Sequence, residues 1–126
     1  MTIRLVVAED HVAVRAGLVA YLDEQDDMEV VAEAENGLQA CELVRELTPD
    51  LVLMDARMPV MDGIEATRTV KADHPATLVL LISAYEQAEL LAAGTDAGAD
   101  SFLLKGAGGE ALVARVRGLV TGAEEA

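Results

Sequence analysis

The chain has 126 residues, 52% of them hydrophobic but with only two Tyr, one Phe and no Trp, which suffices for one aliphatic core and is too short for two stable domains. A formal net charge of −14, with nine basic residues scattered along the chain, disfavours direct binding of nucleic acid or of an anionic membrane. Cys41 is the single cysteine and sits among apolar residues, which excludes an internal disulfide and suits a packing role in an intracellular chain.

Ile3 to Ala8 (IRLVVA) reads as a buried first strand that stops at Glu9 and Asp10. Val14, Leu18 and Leu22 then recur at i, i+4 and i+8, the inward stripe of an amphipathic helix ending near the acidic cluster Asp23 to Asp27. Met28 to Ala34 (MEVVAEA) mixes charge into a strand, as suits a sheet edge with one wet side. Asn36 and Gly37 turn the chain, and Ala40, Leu43, Val44 and Leu47 stripe a second helix that closes at Pro49. Leu51 to Met54 (LVLM) is an unbroken apolar run, the pattern of a strand covered on both faces, and it delivers Asp55 to the rim of a sheet. Pro59 fixes an extended turn, and Asp62 with Glu65 reads as a capping box opening a third helix from about Gly63 to Asp73. His74 ahead of Pro75 ends that helix.

Leu78 to Ile82 (LVLLI) is a second run that looks buried on both faces, and it delivers Ser83. A fourth helix lies within Glu86 to Ala97, weakened by Gly94 and Thr95. Ser101 to Leu104 (SFLL) is a short last strand ending on Lys105, and Leu112, Val116, Leu119 and Val120 stripe a final helix. The domain is therefore expected to occupy residues 1–120, with residues 121–126 as an acidic tail or the start of an interdomain linker. No apolar run reaches ~18 residues and no basic leader precedes one, so neither a membrane span nor a signal peptide is expected, and the chain reads as cytoplasmic.

Five strands alternating with five helices argue for an α/β fold, a doubly wound parallel sheet with helices on both faces. In such sheets the functional crevice lies at the carboxyl ends of the strands. Glu9 and Asp10 follow the first strand, Asp55 the third, Ser83 the fourth and Lys105 the fifth, so all land on that rim. Three carboxylates this close repel one another unless a cation neutralises them. Mg²⁺ suits the task, since it takes hard oxygen ligands, keeps several waters and needs only one or two carboxylates, a backbone carbonyl and a phosphate oxygen.

A carboxylate in such a setting can attack a phosphoryl group to form an acyl phosphate, provided a metal, a cation and hydrogen-bond donors hold the charge on the equatorial oxygens. Asp55 is the candidate nucleophile. Asp10, Asp55 and the carbonyl of Arg57 are candidate Mg²⁺ ligands, with Glu9 reaching the ion directly or through water. Lys105 offers a point charge, while the Ser83 hydroxyl and the Ala84 amide offer donors. His11 is set aside as an Mg²⁺ ligand because magnesium disfavours imidazole. Arg57 and Tyr85 lie near the rim, where their side chains are expected to shape access of water to the acyl phosphate.

The stretches VVAEDH, LVLMDARMPVMDG, LLISA and GADSFLLK stand in this order, with 45 positions from Asp10 to Asp55 and 50 from Asp55 to Lys105. In these stretches, and over nearly its whole length, the chain resembles the receiver domains of two-component response regulators. The resemblance implies a flavodoxin-like receiver fold, five parallel strands in the order 2-1-3-4-5 flanked by five helices, and phosphorylation of the central Asp by a sensor histidine kinase. Carried over residue by residue, it implies Asp55 as phosphoacceptor, Glu9 and Asp10 as the acid pair, Ser83 as switch hydroxyl, Phe102 as switch aromatic and Lys105 as phosphate lysine. Phosphorylation would draw Ser83 inward with Phe102 following, and the surface of the fourth helix, fifth strand and fifth helix would change its affinity for a partner or for a second copy in a homodimer. A domain of this kind is a regulatory phosphoacceptor that takes part in its own phosphorylation and dephosphorylation, not an enzyme.

One departure stands out. Many receivers follow the lysine with proline, whereas Lys105 meets Gly106, which removes the basis for a cis X-Pro bond and loosens the loop. EDH with VRAGL after it, together with FLLKGA, resembles the subfamily carrying a C-terminal helix-turn-helix domain, through which DNA would be bound. The alternative is a stand-alone receiver or phosphorelay intermediate acting through protein contacts. Two other functions fit this topology less well. An aspartyl phosphatase wants an acid two residues after the nucleophile, and that residue is Arg57. A flavin or nucleotide binder wants a small, Gly/Ser/Thr-rich phosphate loop after the first strand, and EDHVAVRAG is acidic instead.

Overall fold

In the computed structural model, which describes residues 1–122, the elements in chain order are β1 (Ile3–Ala8), α1 (Val12–Asp23), β2 (Met28–Ala34), α2 (Gly37–Leu47), β3 (Leu51–Asp55), α3 (Gly63–Asp73), β4 (Leu78–Ser83), α4 (Ala88–Ala97), β5 (Ser101–Leu104) and α5 (Gly109–Thr121), with a 3-10 turn at Lys105–Ala107 between the last two. The final helix therefore takes in Thr121, and residues 123–126 of the expected tail lie outside the described residues. The strands form one sheet in the order β2-β1-β3-β4-β5, every neighbouring pair parallel. This is the α/β, doubly wound order that the sequence resemblance implies.

The unbroken apolar runs are explained by burial on both faces. Along β1, β3 and β4, side chains alternate between two cores. Val6, Ala8, Val52, Met54, Val79 and Leu81 pack with Ala40, Cys41 and Val44 of α2 and Ala66 and Val70 of α3. Leu5, Val7, Leu51, Leu53, Leu80 and Ile82 pack with Leu22 of α1 and Leu112, Val113 and Val116 of α5. β2, with its interspersed acids, is an edge strand as expected. Its register slips between Leu5, paired to Val30, and Val6, paired to Ala32; such an irregularity twists an edge away from foreign strands.

α1 departs from the expected stripe. Leu22 is fully buried and Leu18 packs against the core as expected, yet Val14 is 41% exposed, and Val19 and Tyr21 take its place against the core. The first turns of α1 are apolar nearly all round, so spacing alone does not say which side faces inward. Arg15 decides the rotation: its guanidinium donates to the Glu9 carbonyl (2.7 Å) and to Glu33 on β2 (3.0 Å).

Helix ends are fixed by named side chains. The Asn36 carboxamide accepts from the Gln39 amide (2.9 Å) at the start of α2, and Asp62 accepts from the Glu65 amide (2.8 Å) at the start of α3. Arg4 donates to the carbonyls of Leu47 (2.9 Å) and Thr48 (3.2 Å), closing the C-terminal end of α2. Lys71 near the end of α3 donates to the carbonyls of Pro75 (3.1 Å) and Thr77 (2.9 Å) and to Asp100 (2.9 Å), and Asp100 accepts the Val79 amide (2.8 Å). No helix among the described residues is long and apolar enough to cross a membrane.

Gly63 is required by close approach. A Cβ there would overlap the carbonyl oxygen of Asp55 and lie 2.9 Å from Ala56 Cα, so α3 begins hard against the backbone that carries the central acid. Gly17, inside α1, has open space where a Cβ would go. Gly63→Ala is therefore expected to destabilise the fold by about 1–3 kcal/mol through overpacking. Gly17→Ala should stabilise it by about 0.5–1 kcal/mol through helix propensity. Urea denaturation of the two variants checks both signs.

Candidate functional site

Because every strand runs the same way, the residues that follow them meet at one edge of the sheet. Asp55 ends β3 and is 3% exposed. Its Oδ2 accepts from Lys105 Nζ (3.0 Å) and its Oδ1 from the Arg57 amide (3.2 Å). Glu9, directly after β1, is completely buried. Its Oε1 lies 2.8 Å from the same Lys105 amine, but out of hydrogen-bond alignment, so this oxygen has no donor. Its Oε2 accepts from the His11 amide (3.1 Å) and lies 3.1 Å from His11 Nδ1. Lys105 starts from the far side of β4, about 10 Å from β3 at ordinary strand spacing, and its amine bridges the two acids.

Asp10 is half-buried beside them, and its Oδ1, although shielded from solvent, also has no donor. One ligand atom each from Glu9, Asp10, His11 and Asp55 lies within 4.8 Å of all the others. Three carboxylates face one amine, leaving excess negative charge and two donorless buried oxygens; a divalent cation with oxygen ligands fits that donor set. Arg57 lies on the adjoining loop, its amide on Asp55 and its guanidinium 3.3 Å from the Gln87 side chain. In the same loop Val60, a β-branched residue, adopts φ 69°, a conformation that costs about 1–3 kcal/mol.

Ser83 and Phe102 are not in this cluster. Ser83 ends β4 and is buried, but its hydroxyl donates to the Tyr85 carbonyl (2.9 Å) and accepts from the Tyr85 amide (3.2 Å). The strand-end hydroxyl thus closes its own turn. Ala84 and Tyr85 are exposed in that turn. Phe102, half-buried on β5 and level with Leu81, packs into the core on the α3 and α4 side. A Cβ at Gly94 of α4 would come within 3.4 Å of its ring.

Sequence reasoning missed two contacts: the Lys105–Glu9 ion pair, and the turn of His11 back onto the acids. Strand-end positions could have suggested the first. The second depends on a side-chain orientation that spacing does not encode.

Burial pushes the carboxyl of Glu9 up, but Lys105 and the His11 amide and ring more than reverse it, holding it below the ordinary carboxylate value. Burial also pushes Asp55 up; Lys105 and the Arg57 amide oppose this, the charge of Glu9 reinforces it, and Asp55 stays above the usual aspartate range. Burial acts to lower the Lys105 amine, and the adjacent carboxylates of Glu9 and Asp55 outweigh that and raise it. Glu9 and Lys105 thus form the charged pair, and Asp55 is the acid whose ionisation the fold resists.

The sequence model described as response regulator receiver domain matches residues 5–117. The response regulator protein VraR of Staphylococcus aureus is 43% identical over 105 residues, covering 83% of this chain and 50% of VraR. The chain spans about half the length of the curated relatives it matches. The signal receiver domain of the response regulator NarL from Mycobacterium tuberculosis superposes with a TM-score of 0.92 at 36% identity, covering 96% of this chain and 98% of that one. A DNA-binding response regulator of the LuxR family from Staphylococcus aureus superposes at 0.89 with 26% identity, over 94% and 98% of the two chains.

The raised Asp55 carries a stability consequence. The folded state binds that proton more tightly than the unfolded state, so stability falls as pH rises from the ordinary aspartate value (~4) through the elevated one, and the full penalty is present above it. Asp55→Asn in metal-free buffer is therefore expected to melt above the parent chain at pH 7.5, because the substitution removes an acid whose ionisation burial opposes. The difference should close as the pH falls to about 4; thermal denaturation across pH checks both the sign and the window.

Proposed function

The chain belongs to the response regulator receiver domain family, and from that premise we propose that it is a phosphorylation-controlled signalling module, with Asp55 accepting a phosphoryl group from a sensor histidine kinase. The Lys105 amine, 3.0 Å from Asp55 and 2.8 Å from Glu9 beside two donorless carboxylate oxygens, is the observation that carries this function. An Asp55 oxygen forms the new P–O bond as the bond from phosphorus to the donor nitrogen breaks, that nitrogen keeping the electron pair. Asp10, Asp55 and the Arg57 carbonyl, with Glu9 directly or through water, would hold Mg²⁺, which would supply charge neutralisation at the phosphoryl oxygens. Lys105 exchanges its contact with Asp55 for a phosphoryl oxygen, and the Ala84 amide donates to another.

Ser83 is the switch. Its hydroxyl is tied to Tyr85 by two hydrogen bonds, and turning to the phosphoryl group gives both up, which loosens the turn leading into α4. Phe102, packed beneath α4, follows, and the surface formed by α4, β5 and α5 changes its affinity for a partner or for a second copy of the chain in a homodimer. Arg57, tied to Gln87, and exposed Tyr85 flank Asp55 and limit the water that hydrolyses the acyl phosphate.

Since the chain spans 50% of VraR and is similar to a regulator described as DNA-binding, residues 1–120 act as the regulatory part of a cytoplasmic transcription regulator. Its C-terminal output domain is reached through a linker that begins near residue 121. The alternative is a stand-alone receiver acting through protein contacts. In either case the chain is a regulatory phosphoacceptor that takes part in its own phosphorylation and dephosphorylation.

Mg²⁺-dependent labelling by a small phosphodonor is expected for the parent chain and absent for Asp55→Asn; label retained by that variant refutes the assignment. Lys105→Ala should slow labelling by about 10²-fold or more. Arg57→Ala or Tyr85→Ala is expected to shorten the half-life of the phosphorylated chain, and an unchanged half-life in both removes their role.

A further inference from the structure

We propose that Arg15 is a positioning residue for phosphoryl transfer to Asp55, acting by holding the peptide that joins Glu9 to Asp10. This rests on Asp55 as phosphoacceptor and extends the machinery to a side chain bonded to the backbone of the acid pair. Arg15 Nη1 donates to the Glu9 carbonyl at 2.7 Å, and Nε donates to Glu33 Oε1 on β2 at 3.0 Å. The side chain is only 14% exposed, so this fork is largely packed away from water.

The parallel ladders end one residue before the acid pair, their last registered pairs being Ala8 with Ala34 and Ala8 with Met54. The Glu9 amide still reaches the Ala34 carbonyl (3.0 Å), but the Glu9 carbonyl lies past the last registered pair, and Arg15 supplies its donor. A peptide unit is planar, so fixing that carbonyl fixes the direction in which the chain leaves Glu9 and the placement of the Asp10 backbone. Pinned at its amide by β2 and at its carbonyl by Arg15, Glu9 keeps little freedom beyond its side-chain torsions. Its buried carboxylate is thereby delivered to Lys105 Nζ at 2.8 Å, beside Asp55.

Helix formation does not ask for an arginine here. Arg15 is the fourth residue of α1, and a cation in the first turn opposes the helix dipole. The N-cap, His11, makes no side-chain cap bond and the first turn carries no acid, so the start of α1 is tied down by a bond that runs back to the turn bearing Glu9 and Asp10. Lysine keeps the charge but lacks the rigid planar fork that spans the carbonyl and Glu33 together.

Rates of Asp55 labelling by acetyl phosphate with saturating Mg²⁺ test this on the parent, Arg15→Ala, Arg15→Lys and Glu33→Ala, with urea denaturation of each. Arg15→Ala is expected to slow labelling by about ten-fold or more. Arg15→Lys should recover part of the rate, and added ethylguanidinium should restore part of it to Arg15→Ala while leaving the parent unchanged. Glu33→Ala removes the outer ion pair and spares the carbonyl bond, so it should label within roughly two-fold of the parent. The NMR shift of the His11 amide proton, bonded to the Glu9 carboxylate at 3.1 Å, reads the same displacement with no phosphodonor present: it should move upfield in Arg15→Ala and stay in Glu33→Ala. An Arg15→Ala chain with the parent's rate or the parent's amide shift overturns the positioning role. Slowing that follows lost urea stability and is relieved by neither lysine nor ethylguanidinium does the same. Equal slowing in Glu33→Ala overturns the carbonyl bond as the cause. A parent chain that takes no label overturns the phosphoacceptor reading instead, and the amide shift then decides alone whether Arg15 holds the acid pair.

Discussion

Like charges gathered at the tips of parallel strands are the constraint on which this molecule turns. A parallel sheet sends every carboxyl end to the same edge, so Glu9, Asp10 and Asp55 cannot avoid one another once the sheet forms. Burial of Glu9 and Asp55 removes the water that would screen them. One amine, that of Lys105, offsets part of this by reaching both acids, and the excess that remains is the physical reason for the pocket to attract positive charge. The fold thus holds an electrostatic deficit that a cation or a change of protonation relieves; burial first, and the charge of Glu9 after it, hold the Asp55 carboxyl up.

The ion pairs elsewhere in the chain do a different job. Lys71 with Asp100 ties the end of α3 to the starts of β4 and β5, and Arg4 closes α2. These charges satisfy backbone carbonyls and amides at the amino ends of the strands, where no buried side-chain polar atom among the described residues lacks a partner. At the opposite edge the pairing is incomplete, with two buried oxygens lacking donors. Matched charges at one end and mismatched charges at the other separate the half of the molecule that holds it together from the half available for chemistry.

Much of the frame was legible in the residues. Uniform apolar runs such as Leu51 to Met54 can be satisfied only by cover on both faces, and a residue immediately after such a run has nowhere to go but the rim, which is why Asp55 and Lys105 could be placed. Asp62 and Asn36 cap helices by a local bond that depends on neighbours three positions away. What escaped was rotation and rotamer. The apolar first turns of α1 have no polar face to orient them, so Val14 was expected inside and lies outside. The Ser83 hydroxyl can bond inward or to its own turn, and the ring of His11 can face water or the acids; pattern is silent on both because each alternative uses the same backbone.

The reach of Lys105 has a consequence for how the chain comes into being. Its partners lie 50 and 96 positions earlier, so during synthesis the acids of the first and third strands leave the ribosome before the amine that pairs with them. A sheet lacking β5 is strained by its own repulsion, and the nascent domain gains its electrostatic closure only when the last strand docks. Truncation products that stop short of residue 105 therefore lack more than an edge strand: they retain an unanswered acidic cluster, which biases them toward opening and so toward proteolytic clearance.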